Sequence, residues 1–533
     1  MSNKKHTGSY YTPDYLSDFI VKRVSLHLTG GKTISIFEPS VGNGSILNAL
    51  RKSDIFKKYD DILITALDIN KIEINKAKSE IADIKNIKSS FEHCDFLDYI
   101  QKEKKLHHLI IGNPPYIKKN LLAEKQITIC QEIHKEAGLS NNSIKNIWTA
   151  FLVKSTLLLE NDGILAFVLP SELLQVKFAE ELREFIQVQF QRVEIYTFTD
   201  LLFECKGQDT IILLGFKQSE NKGVFYSNIE NKKQLDSSLN LTKKDILVKS
   251  NVKWTHHILD SEELIFLHKV QEQLKSVSFY CDSKPGIVTA ANSYFIVNKA
   301  TEEKYGLNTY TKPIIQKGVY VNGSVVFSKE DYNQLTADGK PTRILCFKDE
   351  DIEYINEPVD SYLKLGEAED IPKRYKCQIR KNWFVIPNIS TPPDGFFFKR
   401  CHHYPKLLKN EANVWVTDSA YKINMNKGFE INHLIYSFYN SLTLVFSELT
   451  GRYYGGGVLE LTPMEFKKLP MPFLSVTNDE FTSFTELFEK KNQIEDVIYK
   501  NDFLILNTAI KLNSEEIQRV QQIRSKLIRK RMR

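Results

Sequence analysis

Residues 109–116 read Leu-Ile-Ile-Gly-Asn-Pro-Pro-Tyr. The apolar run predicts a buried strand that ends in a glycine turn. The two prolines after Asn113 fix the backbone and carry no N–H. The Asn113 side-chain oxygen and the Pro114 carbonyl are therefore presented as acceptors, and Tyr116 adds a flat face for stacking. Two acceptors beside an aromatic plate suit a planar –NH2 group, on a nucleobase or a carboxamide. A rigid strand-to-loop turn without chemistry carries the same letters, so the rest of the chain decides between the two.

Working outward, apolar strand-like segments alternate with helix-like ones from about residue 34 to 217. The expected strands are Ile34–Phe37, Ile62–Leu67, Phe91–Cys94, His108–Ile111, Ile164–Val168, Val193–Thr197 and Thr210–Phe216. This is the pattern of an α/β fold, a mostly parallel sheet covered on both faces. A short loop separates the last two segments, so the final strand is expected to run antiparallel, at or near an edge.

Ligands of open α/β sheets bind beyond the carboxyl ends of the strands. The first strand is followed by Glu38-Pro39-Ser40-Val41-Gly42-Asn43-Gly44-Ser45. Its small residues let backbone approach a bulky ligand, and a helix N-terminus follows. A GxG pair also makes plain tight turns. The loop is no phosphate-cradling motif, because Gly31-Lys32-Thr33 has Leu26 where the earlier glycine belongs and precedes a strand. Asp68 ends the second strand, where an acid can bond ribose hydroxyls or simply cap a helix. Asp95-Phe96 ends the third, an acceptor and a ring suited to adenine, or an ordinary loop acid with a core phenylalanine. GxG, Asp68, Asp95 and NPPY thus fall at four successive strand ends, which chance seldom arranges.

These motifs, with Thr7-Gly8-Ser9-Tyr10-Tyr11-Thr12-Pro13 ahead of them and NIWTAFLVKSTLLLENDGILAFVLPSELL (146–174) and LLFECKGQDTIILLGF (201–216) behind, resemble DNA adenine-N6 methyltransferases of the γ motif order, the NPPY class found among type II restriction-modification methylases. The resemblance is firm over residues 6–217. It is looser in KPGIVTAANSYFIV (284–297), YKCQIRKNWFVIP (375–387) and SELTGRYYGGGVLELTPMEFKKLPMP (447–472), which look like target-recognition segments. Ala290 departs from the pattern, since relatives commonly carry glycine after the threonine. The resemblance implies a Rossmann-like class I methyltransferase sheet with a C-terminal mixed α+β target-recognition domain. It implies S-adenosylmethionine as cofactor, held by Thr12, Glu38, the Ser40–Gly44 loop with Gly42, Asp68, Asp95, Phe96 and Asn113. Asn113, Pro114 and Tyr116 would hold a target adenine, with Phe203 as the second aromatic plate. The implied enzyme is a site-specific, adenine-specific DNA methyltransferase acting on double-stranded DNA by base flipping, with any cognate restriction endonuclease acting separately. A methyltransferase of protein glutamine or RNA amino groups is the alternative, and a non-catalytic DNA-binding subunit or a bifunctional nuclease are weaker ones.

At 533 residues the chain exceeds one typical core. The expected division is a catalytic domain over 1–220, a boundary region over 221–260, a recognition domain over 261–475, and C-terminal helices with a basic tail over 476–533. With 42% hydrophobic and 26% charged residues the chain is not a disordered one. The 72 Lys+Arg against 66 Asp+Glu are compatible with a polyanion without demanding one. In the C-terminal half Arg380, Lys381, Lys399, Arg400 and Arg452 sit among aromatics, suited to DNA contact or to solvated charge and core. The segment RVQQIRSKLIRKRMR (519–533) suits phosphates or a solvated helix end equally. Seven scattered cysteines contain no CxxC pair, so no metal site is expected. Without an apolar signal core or an apolar run of about 18 residues, no membrane segment and a cytoplasmic home are expected.

Overall fold

In the computed structural model the chain divides into two compact units, one up to Leu264 and one from Ile265 to Met532. The structure describes residues 11–82, 84, 86–99, 105–198, 209–236, 239–244, 253–254, 258–321, 323–387, 389, 391–454, 456–489 and 493–532. Among these no helix is long and apolar enough to cross a membrane.

The first unit is built on nine strands: β1 (Gly31–Glu38), β2 (Tyr59–Asp68), β3 (Ile87–His93), β4 (His107–Gly112), β5 (Leu159–Pro170), β6 (Arg192–Phe198), β7 (Thr210–Phe216), β8 (Gly223–Ile229) and β9 (Thr242–Lys243). They form one sheet in the order β3-β2-β1-β4-β5-β7-β6-β8-β9. The strands from β3 to β5 are parallel, as the alternation of strands and helices predicts. Helices α1 (Asp14–Ser25), α2 (Ser45–Lys52) and α3 (Lys71–Ser79) cover one face, with Leu16, Ile46 and Ala77 packed on Ile34, Ile36 and Ile62. Helices α4 (Glu124–Glu136), α5 (Trp148–Leu157) and α6 (Glu180–Gln189) cover the other, over Phe37, Ile110 and Leu165. Burial on both faces is why β4, β7 and the second half of β5 read as apolar runs, whereas β3 is polar and largely exposed.

Two expectations about the far side of the sheet are corrected. Strand β7 is antiparallel, but it lies inside the sheet between β5 and β6. The stretch expected as a boundary holds β8, parallel to β6, and the short β9. Val224, Phe225 and Tyr226 are buried there, which satisfies the open edge of β6.

Helix α1 is tied to β6 by a charged cluster. Buried Glu194 accepts from Arg192 Nε at 2.8 Å and Tyr196 Oη at 2.5 Å, and pairs with Arg23 at 3.5 Å and His27 at 3.3 Å. Burial alone raises its proton affinity, but hydrogen bonds from His27 and Tyr196 and the Arg192 charge outweigh it and hold the carboxyl at about 2. This anchorage fixes the helix that begins immediately after Thr12 and Pro13.

The second unit holds a five-stranded sheet in the order Cys281–Pro285, Ala420–Met425, Gly395–Phe398, Lys406–Asn410, Val326–Phe327, together with smaller sheets and helices. Phe396, Phe398 and Leu408 of the five-stranded sheet lie in a core with Phe327 and Val414. Gly286 follows the first of these strands, and a Cβ there would stand 2.2 Å from the Thr417 carbonyl oxygen. Four residues on, Ala290 has φ 76°, a left-handed conformation that favours glycine. The departure from the family pattern therefore falls on a strained position, with its carbonyl accepting from Arg374 at 3.1 Å. Relief of left-handed strain (about 1–2 kcal/mol) outweighs the added chain entropy of glycine (about 0.5–1 kcal/mol). Ala290→Gly is expected to raise the melting temperature of this unit by about 2 °C in thermal unfolding. A lowered one would remove strain as the account of that turn.

Candidate active site

The carboxyl ends of β1 to β4 meet in a cleft of about 630 Å³, a size suited to a small-molecule ligand. It is lined by Ser40 and Gly42 after β1, Asp68 at the end of β2, Asp95 and Phe96 after β3, and Asn113 and Pro115 after β4. Thr12 is buried and reaches the same site through Asn113. Tyr11, Gln126 and Phe151, which sequence reasoning did not single out as site residues, line it as well.

The loop after β1 is held by its neighbours. The Gly42 N–H donates to Asp68 Oδ2 at 2.9 Å and Val41 N–H donates to the Leu67 carbonyl at 2.8 Å. The other Asp68 oxygen accepts from Asn70 N–H at 2.8 Å, and burial raises the Asp68 pKa above the ordinary carboxylate value. The two glycines have different reasons. Gly42 (φ 51°) faces the cleft beside the Tyr11 ring. At Gly44 (φ 82°) a Cβ would stand 2.8 Å from Ala77 Cα, so its bareness lets α2 and α3 pack closely. Glu38 is 1% exposed, its Oε2 has no hydrogen-bond partner among the described residues, and burial reinforced by Asp68 pushes its carboxyl well above the ordinary range.

Asn113 is oriented from both ends of its amide. Its Nδ2 donates to Thr12 Oγ1 at 3.2 Å, and its Oδ1 lies 3.1 Å from the Tyr116 hydroxyl. That hydroxyl is also 3.0 Å from the Val168 carbonyl, so one proton serves either acceptor. The main-chain carbonyl of Asn113 accepts from Ser40 Oγ at 3.2 Å, which joins the first and fourth strand ends. Pro114 is buried, and Tyr116 is half-buried. After the prolines the chain pairs with the segment leading into α5, through Ile147 N–H to the Ile117 carbonyl at 2.9 Å and Lys119 N–H to the Lys145 carbonyl at 3.0 Å. The cleft can thus hold a bulky ligand beside the Asn113 amide. Phe203 lies outside the described residues, as do Thr7–Tyr10 of the N-terminal motif.

Several basic residues expected as contacts are engaged internally. Arg380 donates to the carbonyls of Trp383 (3.1 Å), Val288 (3.3 Å) and Thr289 (2.9 Å), and so clamps the Gly286–Ala290 turn. Arg400 pairs with Glu460, and Arg452 pairs with Glu465 at 3.2 Å. In the basic tail Arg524 and Arg531 are buried in ion pairs with Glu495 and Glu448. Ile517, Val520, Ile523 and Leu527 fix one face of the tail helix in the core, while Lys526 and Arg529 lie exposed on the other. That helix, Ser514–Arg531, is capped by Asn513, whose side chain accepts from Glu516 N–H at 3.0 Å.

Comparison with known proteins places this geometry. Residues 21–204 match the family model described as Eco57I restriction-modification methylase. Residues 251–506 match the C-terminal domain of the Type II methyltransferase M.Eco57I. The Type II methyltransferase M.AccI of Acinetobacter calcoaceticus is 23% identical over 536 residues, covering 95% of this chain and 94% of that protein. M.BanIII of Aneurinibacillus aneurinilyticus is 24% identical over 361 residues, covering 63% of this chain and 60% of that protein. The Type IIL restriction-modification enzyme MmeI, solved in complex with DNA, shares the fold over 97% of this chain and 75% of its own, with a TM-score of 0.57 at 12% identity. The expected α/β class I methyltransferase fold and the S-adenosylmethionine cofactor are both borne out. With its N-terminal and C-terminal halves matching successive parts of one enzyme type, the chain belongs to the Eco57I restriction-modification methylases, Type II methyltransferases that use S-adenosylmethionine.

Proposed function

We propose that this methyltransferase modifies N6 of an adenine turned out of double-stranded DNA at a specific site, as the modification arm of a restriction-modification system. The observation that carries the reading is the Asn113 amide. Thr12 Oγ1 takes its Nδ2–H, which fixes the amide with Oδ1 as its acceptor end, 3.1 Å from the Tyr116 hydroxyl. Relatives solved with DNA bound, MmeI among them, support the choice of nucleic acid.

The cleft residues fit the cofactor. Behind the cleft lining at Pro39 and Ser40, the buried Oε2 of Glu38, without a partner among the described residues, is an acceptor that suits a cationic donor such as an amino-acid ammonium. In this reading Gly42 and Ser40 face the methionine end, Asp68 takes the ribose hydroxyls, and Asp95 and Phe96 take the adenine. S-adenosylmethionine supplies a sulfonium methyl already activated for in-line displacement.

Adenine N6 is a poor nucleophile because its lone pair is delocalised into the ring. Asn113 Oδ1 and the Pro114 carbonyl accept its two N–H bonds and favour a pyramidal nitrogen with a freer lone pair. As the amino group arrives, the Tyr116 proton turns to the Val168 carbonyl, and Asn113 Oδ1 becomes available without loss of a hydrogen bond. With S-adenosylmethionine held by Ser40, Gly42, Asp68, Asp95 and Phe96, Asn113 Oδ1 and the Pro114 carbonyl would hold N6 toward the methyl that the cofactor would supply, and the surplus N6 proton would pass to solvent. Holding the reactants in line supplies up to about 7–11 kcal/mol, and two preorganised acceptors roughly 3–4 kcal/mol each. Positioning is the larger contribution. Extruding the base costs a few kcal/mol. Stacking on Tyr116, with Phe203 as the second plate, returns roughly 1–3 kcal/mol per aromatic.

Single-molecule sequencing of DNA from cells expressing the protein tests this directly. The expected result is N6-methyladenine in one sequence context, absent without the gene. N4-methylcytosine instead, or methyl label found in protein or RNA alone, would overturn the assignment.

A further inference from the structure

The loop after β3, residues 94–99, carries Asp95 and Phe96 but little backbone structure of its own. Two residues from the helices of one sheet face hold it. Lys154 of α5 donates to the carbonyls of Phe96 at 2.6 Å, Leu97 at 3.0 Å and Tyr99 at 2.8 Å. Its ammonium has three donors, and all three are used on this loop. The same ammonium stands 4.8 Å from the centre of the Phe96 ring. Three residues earlier on the same helix face, Phe151 packs against that ring at 4.8 Å and lines the cleft. From α4, Gln126 Nε2 donates to Asp95 Oδ2 at 3.0 Å, while its Oε1 accepts from Ala123 N–H.

Lys154 is the one charged residue of a helix otherwise made of buried or half-buried side chains. Burial lowers its pKa to about 8, so its place in the core is costly for the fold. A leucine or methionine there would serve packing better. What the lysine adds is a fixed position for a ring and a carboxylate at the cleft wall.

We infer that Lys154 is a positioning residue for the cofactor, holding the Asp95–Phe96 wall of the cleft where the adenine of S-adenosylmethionine is received. The inference rests on the placement of the cofactor adenine at that wall. Lys154 touches neither reactant, so its loss acts through cofactor affinity and not through the chemical step.

The test is titration calorimetry of S-adenosylmethionine and of S-adenosylhomocysteine with wild type, Lys154→Met and Lys154→Arg, together with steady-state methyl transfer. Lys154→Met is expected to raise Kd for both ligands at least tenfold and to raise KM for the cofactor equally, with kcat at saturating cofactor within about twofold of wild type. Lys154→Arg, which keeps charge and donors, is expected to recover part of the affinity. An unchanged Kd in Lys154→Met, or a fall in kcat as large as the rise in KM, would overturn the inference. If Lys154→Met does not yield folded protein, Lys154→Gln decides by the same split: unchanged affinity in it with lowered thermal stability assigns Lys154 a purely structural role. Wild type that binds no cofactor would instead sink the reading of the cleft. Wild type and Lys154→Met binding equally sinks only the role of Lys154.

Discussion

Asn113→Ala is expected to lower single-turnover methyl transfer about 10³-fold or more, while the Kd values for S-adenosylmethionine and for DNA stay within a few fold. The reasoning runs through the neighbours. Removing one preorganised partner of the reacting group costs about 10²–10³ in comparable sites. Here the same change also removes the hydrogen bond to Thr12 that sets the geometry. The wall of the cleft survives, because Tyr116 keeps its Val168 partner and Pro114 remains buried. The loop after β1 keeps its ties to Asp68 and Leu67. Ser40 still reaches the main-chain carbonyl of residue 113, which alanine retains. Rapid-quench kinetics beside calorimetric binding checks the split. Turnover within tenfold of wild type would remove Asn113 from the chemistry, and a parallel loss of cofactor binding would make it a scaffold residue.

The site was legible in the sequence to the extent that it is local. The cleft residues after β1, β2 and β4 follow strands whose apolar runs are visible, and parallel order brings those ends together; β3, Ile87–His93, is polar and largely exposed, and only Phe91–His93 of it fall in the expected Phe91–Cys94. The antiparallel β7 was legible as a strand but not as an interior one. Its residues 210–216 are buried on both faces whether it lies at the rim or between β5 and β6, and the letters are the same in either case. Strand β8 hides among Lys and Asn because those residues sit in the turns flanking Val224–Tyr226. Basic residues were the hardest to read. Arg380 beside aromatics has the composition of a nucleic-acid contact, yet its guanidinium is occupied by three carbonyls. Only the tertiary path of residues 286–290 determines that. Lys154 did leave a signal, a lone charge inside WTAFLVKSTLLL, where a helix buried all round must satisfy any cation internally. Gln126 left none, since its role depends on where α4 packs.

The C-terminal end of the chain poses the same question of charge with a larger energy attached. Arg531 is 4% exposed and bonds to both oxygens of Glu448, its Nε lying 3.0 and 2.9 Å from Oε1 and Oε2. Its remaining donors go to the carbonyls of His402, His403 and Gly457. One guanidinium thus joins the last helix, Ser514–Arg531, to the helix Ser441–Thr450 and to the hairpin of Arg452–Tyr454 and Val458–Glu460. Arg531→Met removes the cation and leaves a buried carboxylate with its main partner gone, a change that costs about 3–5 kcal/mol. Burial already raises the Glu448 pKa, so the carboxyl takes up a proton when the arginine is lost. The double variant Arg531→Met with Glu448→Leu is expected to regain most of the loss, because replacing a buried pair by apolar side chains is often neutral. Denaturant unfolding of wild type, Arg531→Met, Glu448→Leu and the double variant measures the cycle. Hydrogen exchange should locate the loosening in residues 402–403 and 452–460, with cofactor affinity unchanged. A single-variant loss under about 1 kcal/mol would mean that the ion pair breaks even against its own desolvation. The apolar face of Ile517, Val520, Ile523 and Leu527 would then hold the helix unaided.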